Sequence, residues 1–131
     1  MSKQVLEKSN TEYIDTIEST PRNTAAAIAF AAFASGPDDI LLVTPSDHII
    51  GGMELYEAAI QEAIAKAANG LIVTFGIVPT KPETGYGYIE RKGDDVVSFR
   101  EKPNQVMARE FIVRGNFLWN SGKFCFRAAV F

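Results

Sequence analysis

The spacing of apolar residues along the first half of the chain predicts helices and strands in alternation. Residues 53–69 carry apolar side chains at helical spacing and predict an amphipathic helix, which Gly70 ends. Residues 40–44 and 71–77 are continuous apolar runs of strand length, the pattern of strands covered on both faces, as in a parallel sheet. Strand, helix and strand at this spacing predict a βαβ unit.

An alanine-rich segment before the first strand predicts another helix, from about Asn23 to position 35. The Asn23 side chain is suited to cap the free amides of the first turn, and Thr20-Pro21 is the alternative start. Gly36-Pro37 ends the helix. Because its apolar side chains lie on most faces, we expect this helix to be buried between other elements.

The pattern changes after Pro79, where short strands replace the long helices. Residues 88–91 and 96–100 read as two strands, and the polar residues around Gly93 suit the tight turn of a hairpin. This region therefore predicts antiparallel elements.

The last third of the chain predicts a short helix at about 105–111 and a strand region at 117–126, interrupted at 120–122. Helices and strands thus follow one another along the whole chain. The pattern predicts an α/β layered fold with a mainly parallel sheet and additional antiparallel hairpin elements.

Composition limits the classes of partner. The 131 residues suffice for one domain, and 47% of them are apolar. The net charge of −3 offers no basic excess to a nucleic acid, and no apolar run of about 18 residues exists to span a membrane. The single cysteine, Cys125, excludes an internal disulfide. We expect it to be a small buried residue in a cytoplasmic, reducing setting.

Asp47 has a position suited to metal or phosphate binding. It follows the first predicted strand directly, and ligands of open α/β sheets lie beyond the C-terminal ends of the strands. The alternative is an Asx-type turn or a helix-capping aspartate. The adjacent His48 is the only histidine, and without a nucleophile elbow a Ser-His-Asp hydrolase is not expected. No GxGxxG or Walker A sequence occurs either.

Three further segments carry polar groups that either bind a ligand or serve the fold. The loop Gly85-Tyr86-Gly87 allows the backbone to approach a ligand closely, or is a plain loop. Glu101-Lys102 is either a binding pair or a solvated ion pair of little energetic value. Asn120 lies in an apolar strand, where its amide needs partners from the backbone or from a ligand.

Six short segments occur together in a fixed order. They read ESTPRNTA at 18–25, LLVTPSDH at 41–48, TFGI at 74–77, PTKPETGYGYI at 79–89, EKP at 101–103 and WNSG at 119–122. Each segment is weak alone, but in this order and spacing they resemble the mannose-1-phosphate guanylyltransferases, a family of sugar nucleotidyltransferases. The resemblance covers nearly the whole chain from position 18 onward.

The resemblance implies a Rossmann-like nucleotidyltransferase core and a specific reaction. In this family mannose 1-phosphate attacks the α-phosphorus of GTP, which gives GDP-mannose and pyrophosphate. The implied substrates are therefore GTP and mannose 1-phosphate, and the implied cofactor is Mg²⁺. In such a transfer the protein mainly positions groups and neutralises charge.

The resemblance also implies roles for residues at the sugar and the metal. Asp47 is expected to hold Mg²⁺ and to be catalytic, since this ion prefers carboxylate oxygen. Lys102 is the second expected catalytic residue and would neutralise the sugar phosphate. Gly87 would offer its backbone amide to a mannose hydroxyl. The full set of expected sugar-binding residues is Tyr86, Gly87, Glu101 and Asn120.

Four residues are implied at the nucleotide. Glu18 falls at the base-reading position, where a carboxylate accepts hydrogen bonds from the N1–H and 2-amino groups of guanine. Arg22, Asn23 and Thr24 are expected at the nucleotide end, near a helix N-terminus whose backbone amides point outward.

The chain also departs from the family pattern. Ala26 stands where relatives commonly have proline, and Lys123 where they commonly have methionine. The glycine-rich triphosphate loop and a second metal-binding aspartate are not in these residues. We therefore expect the central part of a catalytic domain, truncated at both ends and inactive by itself. An uncovered sheet edge beside 40–44 would favour a homodimer or self-association.

Three alternatives to a guanylyltransferase remain. The first is a nucleotidyltransferase for another sugar or base, which Glu18 and the segment 119–122 disfavour. The second is a non-catalytic regulatory module of the same fold, although such modules usually lose the metal and phosphate ligands. The third is an unrelated α/β binding protein that shares short motifs by chance.

Overall fold

The computed structural model describes residue 14 and residues 23–131, and the chain divides into two compact units. Unit 1 extends to Val73 and includes Phe124–Phe131, whereas unit 2 is Thr74–Lys123. The elements in chain order are α1 (Asn23–Ala34), β1 (Ile40–Val43), α2 (Met53–Ala68), β2 (Val73–Ile77), β3 (Tyr88–Lys92), β4 (Asp95–Arg100), α3 (Gln105–Arg114), β5 (Phe117–Arg127) and a 3-10 turn at Ala128–Val130. Across the part of the chain described here, no helix combines the length and apolar character needed to cross a membrane.

The predicted helices and strands are confirmed to within a few residues at their ends. Gly93 lies between β3 and β4 with a φ of 63°, as a tight hairpin turn requires. The predicted interruption at 120–122 takes a milder form, because β5 continues through it with Gly122 at a φ of 69°. The α/β fold class is therefore confirmed.

The expectation of a mainly parallel sheet is not confirmed. In unit 1, β1 is antiparallel to β5, with Ile40 opposite Arg127 and Val43 opposite Phe124. In unit 2, β3 is antiparallel to both β4 and β5, and β2 also pairs with β5. The expectation that both strands are covered on both faces is also wrong for the described residues, since Leu42 on β1 is 40% exposed and Ile77 on β2 is 50% exposed. A continuous apolar run suggests that a strand is covered, but the cover depends on elements that the run itself does not specify. It does not reveal the direction of a neighbour that lies far along the chain.

Side chains of α1, β1 and β5 form the core of unit 1. Cys125 on β5 is fully buried, as expected, and burial raises the pKa of its thiol. The core combines buried residues with half-buried ones packed on them: Ile28, Ala32 and Phe126, and then Leu41, Val43 and Phe124.

The prediction that α1 is buried on most faces is wrong for the described residues. Ile28 and Ala32 are four residues apart and share the covered face. Phe30 and Phe33 are 52% and 83% exposed. Since alanine makes every face of this helix apolar, the sequence contains no polar stripe to mark the uncovered side.

Aromatic stacking dominates the core of unit 2. The rings of Phe111 and Phe117 are stacked with centroids 4.0 Å apart, and the ring of Tyr88 lies 5.2 Å from Phe111. Ala108 completes the buried cluster and Trp119 packs against it. This core joins α3 to β3 and β5.

A half-buried carboxylate reinforces the same elements. Glu90 on β3 accepts hydrogen bonds from Ser98 Oγ at 2.9 Å and Asn116 Nδ2 at 3.3 Å, and it pairs with Arg114. The guanidinium of Arg114 lies 4.8 Å from the ring centre of Phe117. The hydrogen bond from Ser98 is the main cause that lowers the pKa of Glu90. Glu90 therefore holds β3, β4 and α3 together as a charged group.

Both ends of α3 are capped, which fixes where the helix begins and ends. The Asn104 side chain accepts a hydrogen bond from Met107 N at 2.9 Å. At the other end Gly115 adopts a φ of 68° and its N–H donates to the carbonyls of Phe111 and Ile112.

We expect Asn104→Ala to lower the free energy of unfolding by about 1 kcal/mol, because an N-terminal amide of α3 loses its acceptor. Urea unfolding of the two proteins measures the difference. Asn104→Asp keeps an acceptor at the same place and serves as the control. An equal loss in both variants would show that the cap is not the cause.

Candidate functional site

The loop between β2 and β3 is organised around the Glu83 carboxylate. Its Oε1 atom accepts hydrogen bonds from the backbone amides of Thr84 at 3.0 Å and Gly85 at 3.1 Å. Its Oε2 atom lies 3.0 Å from Lys81 Nζ. These contacts fix the backbone directly before Tyr86.

Tyr88 attaches this loop to the core of unit 2. Its hydroxyl donates to the backbone carbonyl of Glu83 at 2.8 Å, while its ring is fully buried beside Phe111. A buried tyrosine hydroxyl needs a hydrogen-bond partner, and the loop carbonyl provides it. The aromatic core therefore sets the position of the loop.

The charges in the loop stabilise each other. The backbone amide of Gly85 is the largest cause that lowers the pKa of Glu83, followed by the hydrogen bond and charge of Lys81. The hydrogen bond with Glu83 is likewise the main cause that raises the pKa of Lys81. The two shifts widen the pH range over which both groups are charged.

Gly87, Glu101 and Asn120, three of the expected sugar-binding residues, lie together. The backbone carbonyl of Gly87 accepts a hydrogen bond from Asn120 N at 2.8 Å. A Cβ atom at Gly87 would lie 3.0 Å from Glu101 Oε2 and 3.6 Å from Asn120 Cβ. A side chain at position 87 would thus occupy the space between the side chains of Glu101 and Asn120.

Asn120 and Ser121 supply hydrogen bonds where β5 becomes irregular. Asn120 Oδ1 accepts from Gly122 N at 3.0 Å, and Ser121 Oγ accepts from Lys123 N at 3.3 Å. Ser121 Oγ also donates to the carbonyl of Phe75 on β2 at 2.7 Å. The sequence left open whether the Asn120 amide bonds to the backbone or to a ligand. In the structure a backbone amide donates to its oxygen.

Tyr86 is the half-exposed residue of the loop. Its ring meets the indole of Trp119 edge to face, with centroids 5.3 Å apart. Trp119 immediately precedes Asn120 on β5 and packs against the core. Tyr86 therefore forms an aromatic wall next to the cluster of Gly87, Glu101 and Asn120.

Lys102 joins the same cluster through Glu101. Its Nζ atom lies 3.8 Å from Glu101 Oε1, and the two side chains are 66% and 75% exposed. An ion pair in that setting contributes little to stability. The backbone of Lys102 has a φ of 35°, which is strained for a residue with a side chain.

Asp47 lies in unit 1, in a turn after β1. Its side chain is 85% exposed and its Oδ1 atom is 4.0 Å from His48 Nε2. Among residues 14 and 23–131, no three histidine, cysteine or acidic side chains converge on a possible metal position. Asp47 thus offers one accessible carboxylate rather than a closed metal cage.

The residues expected at the nucleotide are only partly described. Asn23 is the first residue of α1 and Thr24 is exposed in its first turn. Glu18 and Arg22 lie outside the described residues. The expected roles of Glu18, Arg22, Asn23 and Thr24 all stay predictions.

Sequence reasoning assigned no role to Glu83, although it orders the loop. The available signal was a glutamate followed by two small residues, whose amides lie within reach of its carboxylate. That pattern is common in plain turns, so the ion pair with Lys81 and the contact from Tyr88 become visible only in three dimensions.

Known proteins resemble this chain along most of its length. The sequence profile of the nucleotidyl transferase family matches residues 2–131. The mannose-1-phosphate guanylyltransferase of Sinorhizobium fredii is 49% identical over 123 residues, which cover 86% of this chain and 24% of that protein. The mannose-1-phosphate guanylyltransferase RfbM of Salmonella typhimurium is 47% identical over 124 residues, covering 86% and 26%.

A solved structure is also similar to this chain in fold and in sequence. A crystal structure of a mannose-6-phosphate isomerase from Helicobacter pylori aligns with a TM-score of 0.80 and 49% identity, over 86% of this chain and 44% of that one. The chain spans about a quarter of the length of the curated relatives that it matches.

The Glu83 loop generates a prediction about pH. Because the pKa of Glu83 is lowered from 4.5, its contribution to loop order is fully present above that value and is lost as the pH falls through the lower pKa. The pKa of Lys81 is raised from 10.5, so its contribution is lost only as the pH rises through the higher pKa.

We expect the amide proton resonances of Thr84 and Gly85 to titrate together, with one apparent pKa below 4.5. NMR spectra recorded from neutral to acid pH measure this. In Glu83→Gln the shared titration should vanish. Its persistence there, or a midpoint above 4.5 in the unmodified protein, would contradict the assignment.

Proposed function

The chain belongs to the nucleotidyl transferase family, and on that premise we propose that the complete protein transfers GMP from GTP to mannose 1-phosphate, giving GDP-mannose and pyrophosphate. Relatives named mannose-1-phosphate guanylyltransferase, at 43 to 49% identity, support this substrate pair. The observation that carries the proposal is the cluster of Gly87, Glu101 and Asn120, because the side chains flanking this glycine supply acceptors and donors suited to sugar hydroxyls.

In this proposal the cluster binds the mannose ring. Glu101 accepts hydrogen bonds from hydroxyl groups, and a charged acceptor makes stronger bonds than a neutral one. The amide of Gly87 donates to a hydroxyl, and its missing side chain leaves the sugar room beside Glu101. Asn120 contacts the sugar through its amide group. Tyr86 closes one side of the site.

Lys102 is the proposed partner of the sugar phosphate. Its ammonium group is mostly exposed and lies beside Glu101, so it can reach a phosphate attached to the bound sugar. Holding this phosphate fixes the attacking oxygen for displacement at the α-phosphorus of GTP. Positioning of this kind lowers the barrier because the reactants are oriented before they meet.

Mg²⁺ is the metal that we propose for Asp47. The donor set fits this ion, because Mg²⁺ is commonly held by one or two carboxylates with phosphates and water completing its shell. When bound, the ion supplies positive charge to the triphosphate. The contribution of this chain is one accessible carboxylate oxygen after β1.

The nucleotide residues complete the proposal. Glu18 would read guanine as an acceptor of two hydrogen bonds, and Arg22, Asn23 and Thr24 would bind at the nucleotide end, near a helix N-terminus. A cytoplasmic setting accords with a reaction that consumes GTP. Nucleic acid is not among the proposed partners, and a homodimer or other self-association belongs to the same proposal.

The name of the Helicobacter structure raises a second reaction, the isomerisation of mannose 6-phosphate. The nucleotidyl transferase profile covers residues 2–131, essentially the whole chain, and therefore favours nucleotidyl transfer for this region. A nucleotidyltransferase for another sugar and a regulatory module are less favoured, because the relatives cited above carry the guanylyltransferase name.

We expect Gly87→Ala to raise the Kd for mannose 1-phosphate by about tenfold, since the new methyl group displaces Glu101. In a titration of this chain, the fluorescence of Trp119, the only tryptophan among its 131 residues, can report binding because the ring of Tyr86 meets its indole edge to face. Gly51→Ala is the control, because a Cβ atom there meets nothing within 4 Å. Equal affinity in the two variants would remove Gly87 from the site.

We expect Asp47→Asn in the complete protein to lower the turnover number by about 100-fold while the fold stays intact. Asparagine keeps the size of the side chain but not the charge that Mg²⁺ requires. Asp38→Asn is the control, since that aspartate is also exposed in unit 1. Release of pyrophosphate is the measurement, and near-normal metal-dependent turnover in Asp47→Asn would exclude the metal role.

A further inference from the structure

The segment from Gly85 to Gly87 contains the proposed sugar contacts but has little stiffness of its own. Glycine loses more conformational freedom on ordering than any other residue, and here two glycines flank Tyr86. A site built on such a segment must be ordered by groups outside it. Otherwise the ligand bears the entropic cost of ordering it.

The structure contains one anchor on each side of the segment. On the far side, the carbonyl of Gly87 accepts a hydrogen bond from Asn120 N on β5. On the near side, Glu83 accepts the amides of Thr84 and Gly85. The contact with Glu83 is made by a side chain, whereas the contact with Asn120 is made by the backbone of a strand. A single substitution at Glu83 therefore removes the first contact.

We propose that Glu83 is a positioning residue for mannose 1-phosphate, one that holds Tyr86 and Gly87 in the binding conformation without touching the ligand. The inference rests on the proposed function. Both carboxylate oxygens already have partners inside the loop, Oε1 on two backbone amides and Oε2 on Lys81. Glu83 thus differs from Glu101, whose carboxylate is 75% exposed.

Lys81 gives the carboxylate a partner for its second oxygen. The Nζ atom of Lys81 lies 3.0 Å from Oε2, and the Glu83 side chain is only 27% exposed. The hydroxyl of Tyr88 fixes the backbone of Glu83 itself at 2.8 Å. The anchor is therefore tied to the aromatic core rather than to solvent.

The geometry predicts a graded series of variants. Glu83→Gln keeps an oxygen for the amides of Thr84 and Gly85 but loses the ion pair with Lys81. Glu83→Ala loses both. Lys81→Met loses the ion pair while the carboxylate stays. Glu110→Gln is the matched control, because this exposed glutamate of α3 lies in the same unit but outside the loop.

The experiment measures the Kd for mannose 1-phosphate of the complete protein by calorimetric titration, and KM for each substrate separately. We expect Glu83→Ala to raise Kd and KM for mannose 1-phosphate by about 10- to 100-fold, as loss of supporting contacts typically does. Glu83→Gln and Lys81→Met should give smaller increases, and KM for GTP should not change. A merely structural role would instead lower Tm and affect both substrates alike.

The outcomes separate the two proposals. Selective weakening in the expected order supports the positioning role, and unchanged affinity in Glu83→Gln and Glu83→Ala overturns it while the proposed function stands. If Glu83→Ala does not fold, Glu83→Gln and Lys81→Met decide by the same criterion. Failure of the unmodified protein to bind mannose 1-phosphate overturns the proposed function and this inference together.

Discussion

Backbone pairing along β5 is the constraint on which both units depend. Its C-terminal residues pair with β1 in unit 1, and its N-terminal residues pair with β3 in unit 2, where β2 also joins it. An unpaired amide or carbonyl in such a strand costs about as much as a lost hydrogen bond. The left-handed backbone at Gly122 interrupts the regular geometry of the strand. There the side chains of Asn120 and Ser121 accept hydrogen bonds from the backbone amides of Gly122 and Lys123.

The segment Trp119 to Gly122 therefore has a structural reason as well as a proposed functional one. Because the backbone amide of Gly122 holds the Asn120 oxygen, the side chain has a fixed orientation before any ligand arrives. Asn120 N in turn holds Gly87. One set of hydrogen bonds therefore accompanies the irregularity in β5 and holds Gly87 in the loop before β3.

Local chemistry explains which features could be predicted from the sequence. The helix positions and the hairpin turn at Gly93 depend on neighbours within a few residues, and they were predicted to within a few residues. The burial of Cys125 was predicted from its apolar character. The direction of β1 depends on β5, far along the chain, and the exposure of Phe33 depends on what covers an all-apolar helix. Glu83 was missed because its role requires Lys81, Tyr88 and two backbone amides at once. The resemblance to the family supplied the proposed sugar-binding residues, and three of them, Gly87, Glu101 and Asn120, lie close together in the structure.

The backbone at Lys102 shows how the fold supports this site. A left-handed conformation at a residue with a side chain costs about 1–3 kcal/mol, while an exposed ion pair such as Lys102 with Glu101 returns about 0–1 kcal/mol. The ion pair alone therefore does not offset the free-energy cost of the strained backbone. The residues that follow Lys102 are held independently of the ion pair: Pro103 is buried, and Asn104 caps α3 immediately afterwards. The strained position falls on a residue proposed to bind phosphate. Its backbone is set by the connection between β4 and α3, so the ammonium group need not contribute to folding and is left available for a ligand.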